Sequence, residues 1–392
     1  MTVLIAWPDL FPVTHAGSVR GMAFTKAATE LGLSPIIVTP KVSSSTSETT
    51  ERTDAITIPL YDSYAERLPP PFPVLLLPFT IARLRTVAVK GRVRAIVSST
   101  PGLFLPLESL LVAKLCGAPF FLDVRDSWAL EEKSHTGALR NRIKLWLEGI
   151  LCRRASKIWT VTESLAELIA ESHGLSSERV QVVPNGADLS VFHPSDTEKK
   201  YDLIFLGAPS SYEDPGRALE AFLGLSSARP ALRVLWLGWE RGVLDDSAIR
   251  ILEHLVSSGI LELRSRVLNS EVPSLLAQAR VGVVSLCGED VYRTAIGAKV
   301  YEYLASGLPL ACLGPPGASE VRRLVDSCGV GFYATSPERF ALLAAEILAK
   351  PEKLEGLRKR CVDVSKRFDR REICQQALQD FVVPYLKRGT GA

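Results

Sequence analysis

Short apolar runs alternate with longer amphipathic stretches along the first half of the chain. Residues 2–7 (TVLIAW) form a continuous apolar run of strand length and predict a buried strand. Over residues 17–32, Met22, Ala23, Ala27 and Leu31 recur at the spacing of one helix face, which predicts a helix. Further strands are predicted at 35–39, 95–98 (AIVS), 119–124 (PFFLDV), 158–161 and 180–183, with a helix around 139–151 before the fourth of these. Strands that alternate with helices predict a mostly parallel, doubly wound sheet.

The turn-rich stretch from Pro184-Asn185-Gly186 to Pro194 then leads into the polar residues 195–200, the composition of a domain junction. Beyond it the pattern restarts, with strands predicted at 202–206, 233–237, 261–263, 281–286, 308–313 and 330–333 and a helix at 217–225. A last helix is predicted over 370–386. The fold class expected is α/β, with two Rossmann-like doubly wound domains facing an interdomain cleft. Residues 1–195 are assigned to the first domain, 196–370 to the second, and 371–392 to a C-terminal helix returning to the first. Ligands of open α/β sheets bind at the carboxyl ends of the strands, so the cleft is the expected place for a small-molecule site.

Composition narrows the function. The 46 basic and 43 acidic residues leave a net charge of +3, too balanced for nucleic-acid binding by bulk charge. Seven scattered cysteines without a C-x-x-C pair fit neither a disulfide framework nor a zinc site. The N-terminal residues read as a strand and lack the basic segment of a signal peptide, and no apolar run reaches the ~18 residues of a membrane span. A cytoplasmic protein is expected.

The segment carrying most chemistry runs from Thr294 to Pro309. Gly297 opens a helix and Gly307 ends it. A helix N-terminus offers free backbone N–H groups and a partial positive charge, to which a diphosphate is suited. Gly297 lets backbone approach phosphate oxygens closely. Lys299 offsets phosphate charge, and the two oxygens of Glu302 accept hydrogen bonds from vicinal ribose hydroxyls. The plain alternative is an amphipathic helix with a solvent-facing Lys–Glu pair.

At these residues the chain resembles the retaining GT-B glycosyltransferases of family 4, whose pattern runs E-x-F-G-x-x-x-x-E-A/Y-x-A-x-G-x-P. Thr294, Ile296, Gly297, Glu302, Ala305, Gly307 and Pro309 fall in register, with Thr294 in place of the first Glu. The K-x-x-E-Y-L-A-x-G-x-P form, Lys299 to Pro309, is similar to members that transfer bacterial surface sugars. The stretch from Val183 to Pro194 resembles the family's I-P-N-G-V-D-x-x-x-F-x-P junction, and Thr162-Glu163-Ser164-Leu165 its S-E-x-L segment. The resemblance implies donor binding by Thr294, Gly297, Ala298, Lys299 and Glu302, with Gly17 and Ser18 beside the donor phosphate. The family's G-R-x-x-x-x-K-G is absent after residue 206, and Arg217 is the candidate replacement for its arginine.

His15 in the loop 11–20 either meets the acceptor, assists proton transfer, or is an exposed loop histidine. Arg125 and Asp126, in D-x-R-D-x-W at the end of a strand, either belong to a structural network or bind sugar or acceptor hydroxyls. Asp126, Lys299 and His15 are the candidates for the chemical step. No D-x-D occurs, so a donor site without a metal is expected, the helix terminus and basic groups stabilising the leaving diphosphate. No cofactor is expected beyond the nucleotide-sugar, which is a substrate. Residues 69–82 (PPPFPVLLLPFTIA) precede Arg83, Arg85, Lys90, Arg92 and Arg94, so 69–94 is either a peripheral membrane contact or a segment packed on the first domain. Its prolines speak against one long helix. If the membrane contact holds, the protein works at the inner face of the membrane on a lipid-linked acceptor.

The function expected is therefore transfer of a sugar from a nucleoside-diphosphate donor to a glycan, lipid-linked or small acceptor, with retention of configuration. A sugar-nucleotide epimerase of the same architecture, or a catalytically silent scaffold, are the alternatives.

Overall fold

The computed structural model describes residues 1–8, 10, 16–39, 56–59, 72–100, 102, 104–127, 138–209, 213–240, 244–288, 293–317 and 319–388. The chain divides into two compact units, Met1–Pro184 together with Arg370–Ala392, and Asn185–Asp369. In the first follow β1 (Thr2–Ala6), α1 (Ala16–Glu30), β2 (Ser34–Thr39), β3 (Ile56–Pro59), α2 (Phe72–Lys90), β4 (Val93–Ser99), α3 (Phe104–Cys116), β5 (Phe120–Val124), α4 (Ala138–Arg154), β6 (Lys157–Thr160), α5 (Glu163–His173) and β7 (Val180–Val182). The seven strands form one sheet in the order β3-β2-β1-β4-β5-β6-β7, with every pairing parallel.

The second unit runs β8 (Tyr201–Leu206), α6 (Pro215–Ala228), β9 (Val234–Leu237), α7 (Asp246–Ser257), β10 (Leu261–Arg264), α8 (Val272–Leu276), β11 (Ala279–Ser285), α9 (Ala298–Ala305), β12 (Leu310–Leu313), α10 (Glu320–Cys328), β13 (Gly331–Ala334), α11 (Pro337–Leu348) and α12 (Pro351–Ser365). Its six strands form a parallel sheet in the order β10-β9-β8-β11-β12-β13. Ala187 and Phe192 are buried in this unit's core, so the compact units part at Pro184, ahead of the polar stretch 195–200 where the sequence suggests a junction.

Successive side chains of a strand point to opposite faces, and a parallel sheet buries both. In the first sheet Leu4, Ile96, Leu122 and Ile158 face one core, which α2, α3, α4 and α5 cover through Leu84, Val112, Leu151 and Ile169. Ile5, Val97, Phe121 and Trp159 face the other. There α1 supplies Met22, Phe24, Ala27 and Ala28, and the end of the chain supplies further cover. Helix α13 (Arg370–Ala377), the π-helical turn Leu378–Val382 and α14 (Val383–Arg388) place Cys374, Leu378, Val382 and Leu386 in that core. Tyr385 meets Phe121 edge-on at 5.4 Å, and Arg371 pairs with Glu30 at 2.9 Å.

Helix α2 is one continuous helix with Pro78 inside it, which corrects the expectation that the prolines break this segment. A proline in a helix removes one backbone hydrogen bond. Burial of Leu84 and Ala88 in the core, and a hydrogen bond from the Thr80 hydroxyl to the buried Glu108 at 2.5 Å, hold the helix in place against that loss. Residues 69–71 lie outside the described residues. Among the described residues no helix is long and apolar enough to cross a membrane.

Leu378 is fully buried, whereas Leu342 on α11 is 64% exposed. Leu378→Ala is expected to lower unfolding stability by about 2–5 kcal/mol in urea titrations, and Leu342→Ala by less than about 0.5 kcal/mol. Equal effects would mean that the C-terminal segment is not part of the first unit's core.

Candidate active site

In each sheet the strand order reverses once, and the carboxyl ends of the two strands at that switch point form the crevice where α/β units bind ligands. In the second unit these strands are β8 and β11. Strand β8 ends at Leu206 and passes into Gly207, whose φ of +126° lies in a region open to glycine. Helix α9 is fixed over this edge by Tyr303. Its ring packs flat on Gly282 of β11, where a Cβ would lie 2.6 Å from the ring. Its hydroxyl accepts from the Leu206 N–H at 2.9 Å and lies 3.3 Å from the Ile204 carbonyl, to which it donates. Burial, followed by the nearby carboxylates of Glu213 and Glu302, pushes the Tyr303 phenol well above its usual value, so it stays a neutral donor. Sequence reasoning assigned nothing to Tyr303 or Gly282. The aromatic residue after Glu302, set against a glycine inside a strand, was the available signal.

Gly297 is the N-cap of α9, with extended backbone (φ −64°, ψ 147°) and no side chain to cap the first-turn amides. The Asn185 amide donates to the Ile296 carbonyl at 3.3 Å and so braces the approach to this turn. Thr294, Ala298 and Glu302 are all half-buried around it, while Gly297 is exposed. The Lys299 ammonium donates to the Leu206 carbonyl at 2.8 Å, pairs with the Glu213 carboxylate, and lies 5.2 Å from the centre of the Phe205 ring. The sequence reading did not single out Glu213.

Arg217 lies elsewhere. Its guanidinium donates to the Thr335 carbonyl at 2.7 Å, just past the end of β13. At ~4.8 Å per strand that is about 14 Å across the sheet from β8. The Arg217 guanidinium is thus directed to Thr335, whereas the Lys299 ammonium is directed to Leu206 and Glu213.

In the first unit the switch point falls between β1 and β4. The Trp7 indole N–H, just past β1, donates to the Gly17 carbonyl at 2.8 Å. Arg125 lies against Gly17, where a Cβ would collide with its guanidinium. The same guanidinium sits 5.6 Å over the Trp7 ring and donates to the Thr100 carbonyl at 2.5 Å. Gly17, Arg125, Trp7 and Thr100 thus form one cluster. Ser18 is fully buried beneath it, and Asp126 is exposed beside it. His15 and Trp128 lie outside the described residues.

The structural network of this loop is carried by Asp123 and Ser127. Arg20 pairs with Asp123 at 2.7 Å, both fully buried, and donates to the Pro184 carbonyl at 2.8 Å. Ser99 adds a hydrogen bond to Asp123 at 2.8 Å. Ser127 donates to the buried Glu148 at 3.1 Å, which also holds His173 at 3.1 Å. These two anchors flank Arg125 and Asp126 and fix the loop that presents them.

Residues 19–186 match the family model described as a glycosyl transferase 4-like domain. No curated protein matches the chain in sequence. Among solved structures, sucrose-phosphate synthase from Thermosynechococcus elongatus aligns over 100% of both chains at 15% identity, with a TM-score of 0.73. HepE from Anabaena, solved with UDP, aligns over 97% of this chain and 99% of its own at 13% identity, with a TM-score of 0.73. Another HepE structure holds UDP-glucose. A candidate UDP-N-acetylglucosamine 2-epimerase from Listeria monocytogenes aligns over 96% of this chain and 94% of its own at 12% identity, with a TM-score of 0.63. Likeness at these identities establishes the fold, which is the two-unit GT-B fold.

Tyr303→Phe keeps the ring on Gly282 but leaves the buried Leu206 N–H without its acceptor. A loss of about 1–3 kcal/mol in unfolding free energy is expected from denaturant titration. An unchanged midpoint would show that the hydroxyl does not hold α9 on β8.

Proposed function

We propose that the protein is a glycosyltransferase that moves a sugar from a nucleoside-diphosphate donor to a glycan or lipid-linked acceptor, with retention and without a metal. The observation that carries this reading is the convergence of an uncapped helix N-terminus, Gly297–Ala298, and the Lys299 ammonium on the switch point of the second sheet. Fixed N–H dipoles and a cation at one edge suit a diphosphate, whose charge grows as the glycosidic bond breaks. Glu302, one helical turn along, takes the ribose hydroxyls. Thr294 stands nearest the transferred sugar. In the first unit, Arg125 and Asp126 bind acceptor hydroxyls. The glycosyl transferase 4-like match and the fold shared with HepE, which binds UDP and UDP-glucose, support the same reading.

Retention follows if the acceptor oxygen attacks the anomeric carbon from the side the diphosphate leaves. The bond from that carbon to the acceptor oxygen forms as its bond to the phosphate oxygen breaks. The acceptor's proton passes to a departing phosphate oxygen. No carboxylate nucleophile is needed, and Lys299 with the α9 amides takes up the charge of the leaving group.

The test is thermal stabilisation by UDP, GDP, ADP and their sugar conjugates in EDTA. One nucleotide is expected to raise the melting temperature of the wild type, with the shift lost in Glu302→Ala. No shift from any nucleotide would sink the donor-site assignment. A shift that requires added divalent cation would sink the metal-free one.

The lipid-linked acceptor rests on helix α2. Leu75 and Phe79 are 62% and 76% exposed there, and Arg85 and Lys90 on the same helix are exposed. Apolar side chains beside basic ones suit an anionic membrane surface. Leu75→Asp with Phe79→Asp is expected to reduce sedimentation with phosphatidylglycerol vesicles at least about tenfold, and neutral phosphatidylcholine vesicles are expected to bind the wild type poorly. Equal sedimentation of variant and wild type would remove the membrane from the reading.

A further inference from the structure

Lys299 has three N–H bonds to give. In this structure the Leu206 carbonyl takes one, the Glu213 carboxylate another, and the face of Phe205 lies within cation–π reach of the ammonium. The lysine assigned to the donor's diphosphate is therefore already engaged, and its charge is already met by a carboxylate. The pair is partly withdrawn from water, with side chains 16% and 23% exposed, so it is screened less than a surface pair.

The chain holds Glu213 there. Asp214, the next residue, has a φ of +37°, a left-handed conformation that costs a non-glycine residue energy. It is fixed by the bond from Arg217 N–H to its carboxylate at 3.4 Å and by Ser285 donating to its carbonyl at 3.1 Å. The second carboxylate oxygen of Glu213 lies against Gly207, where a Cβ would come within 2.8 Å of it. That oxygen is buried and meets no hydrogen-bond donor among the described residues. One oxygen of the carboxylate is bonded to the ammonium and the other is not, an arrangement that costs desolvation and leaves the pair displaceable.

We propose that Glu213 is an intramolecular rival of the donor's diphosphate: it holds the Lys299 ammonium, and a nucleoside diphosphate binds by displacing it. Two anions cannot share one ammonium in a partly buried site without repulsion, so every binding event includes the cost of moving Glu213 away. The same carboxylate returns to Lys299 as the nucleoside-diphosphate product departs, which speeds release. Glu213 thus sets how tightly the donor's diphosphate is held. The proposal rests on the reading of Lys299 as the diphosphate's partner.

The experiment is calorimetric titration of UDP, GDP and ADP into wild type, Glu213→Gln, Lys299→Met and the double variant, each checked for an unchanged melting temperature. Glutamine keeps the shape and removes the charge. Glu213→Gln is expected to bind its nucleotide about tenfold more tightly than wild type, and Lys299→Met more weakly. In the Lys299→Met background the gain from Glu213→Gln is expected to vanish, because no ammonium is left to compete for. Glu213→Ala serves in place of glutamine if that variant is unstable. Binding to wild type with no gain in either Glu213 variant overturns the rivalry and leaves the donor site standing. A gain that persists without Lys299 also overturns it, since the charge would then act by general repulsion. No binding of any nucleotide to any variant overturns the donor-site reading and the rivalry with it.

Discussion

A parallel sheet leaves neither face to water, and both sheets here are parallel throughout. Much of the architecture answers that demand. In the first unit the four helices α2 to α5 close one face, but α1 alone cannot close the other, where Phe121 and Trp159 lie. The chain meets the shortfall by bringing its last helices back after the second unit is complete. In the second unit the same demand puts α9 against β8 and β11, and the seating of Tyr303 on Gly282 decides where the helix N-terminus points.

The two switch points use charge in contrasting ways. Arg20 and Asp123 are fully buried, and each has a further partner, Pro184 and Ser99. A pair so enclosed holds a loop in place, because removing either member strands the other charge in the interior. Lys299 and Glu213 are more open and less completely bonded. The first pair supports the loop bearing Arg125 and Asp126, while the second stands at the end of β8, beside the N-terminus of α9.

The strand-and-helix alternation was legible because buried parallel strands read as continuous apolar runs, and the runs at 2–7, 95–98 and 119–124 needed no context. Strand β3 (Ile56–Pro59) escaped because four residues at a sheet edge, set in a polar stretch, carry no periodicity of their own. Helix α2 was misread because local proline rules weigh one lost hydrogen bond and ignore the apolar contacts that offset it. The helix that Gly297 opens, with Lys299 and Glu302 in its first turns, was legible from the spacing of its glycines. Glu213 was not, since it lies far in sequence from Lys299, and only the turn after β8 brings them together. Arg217 illustrates the converse: its place in the sequence suggested a phosphate ligand, but its reach ends on Thr335.

The return of residues 370–392 to the first unit also bears on how the protein is made. A ribosome synthesises residues 1–184 first, yet the face bearing Phe121 and Trp159 gains its last cover only from Cys374, Leu378 and Leu386. At roughly 5–20 residues per second, the second unit takes about 10–40 s to emerge. Through that interval the nascent first unit carries an aromatic face that α1 covers only in part, while the second unit, continuous in sequence, is free to finish. The unit begun first is therefore completed last, and its exposed face is where a chaperone would find this chain.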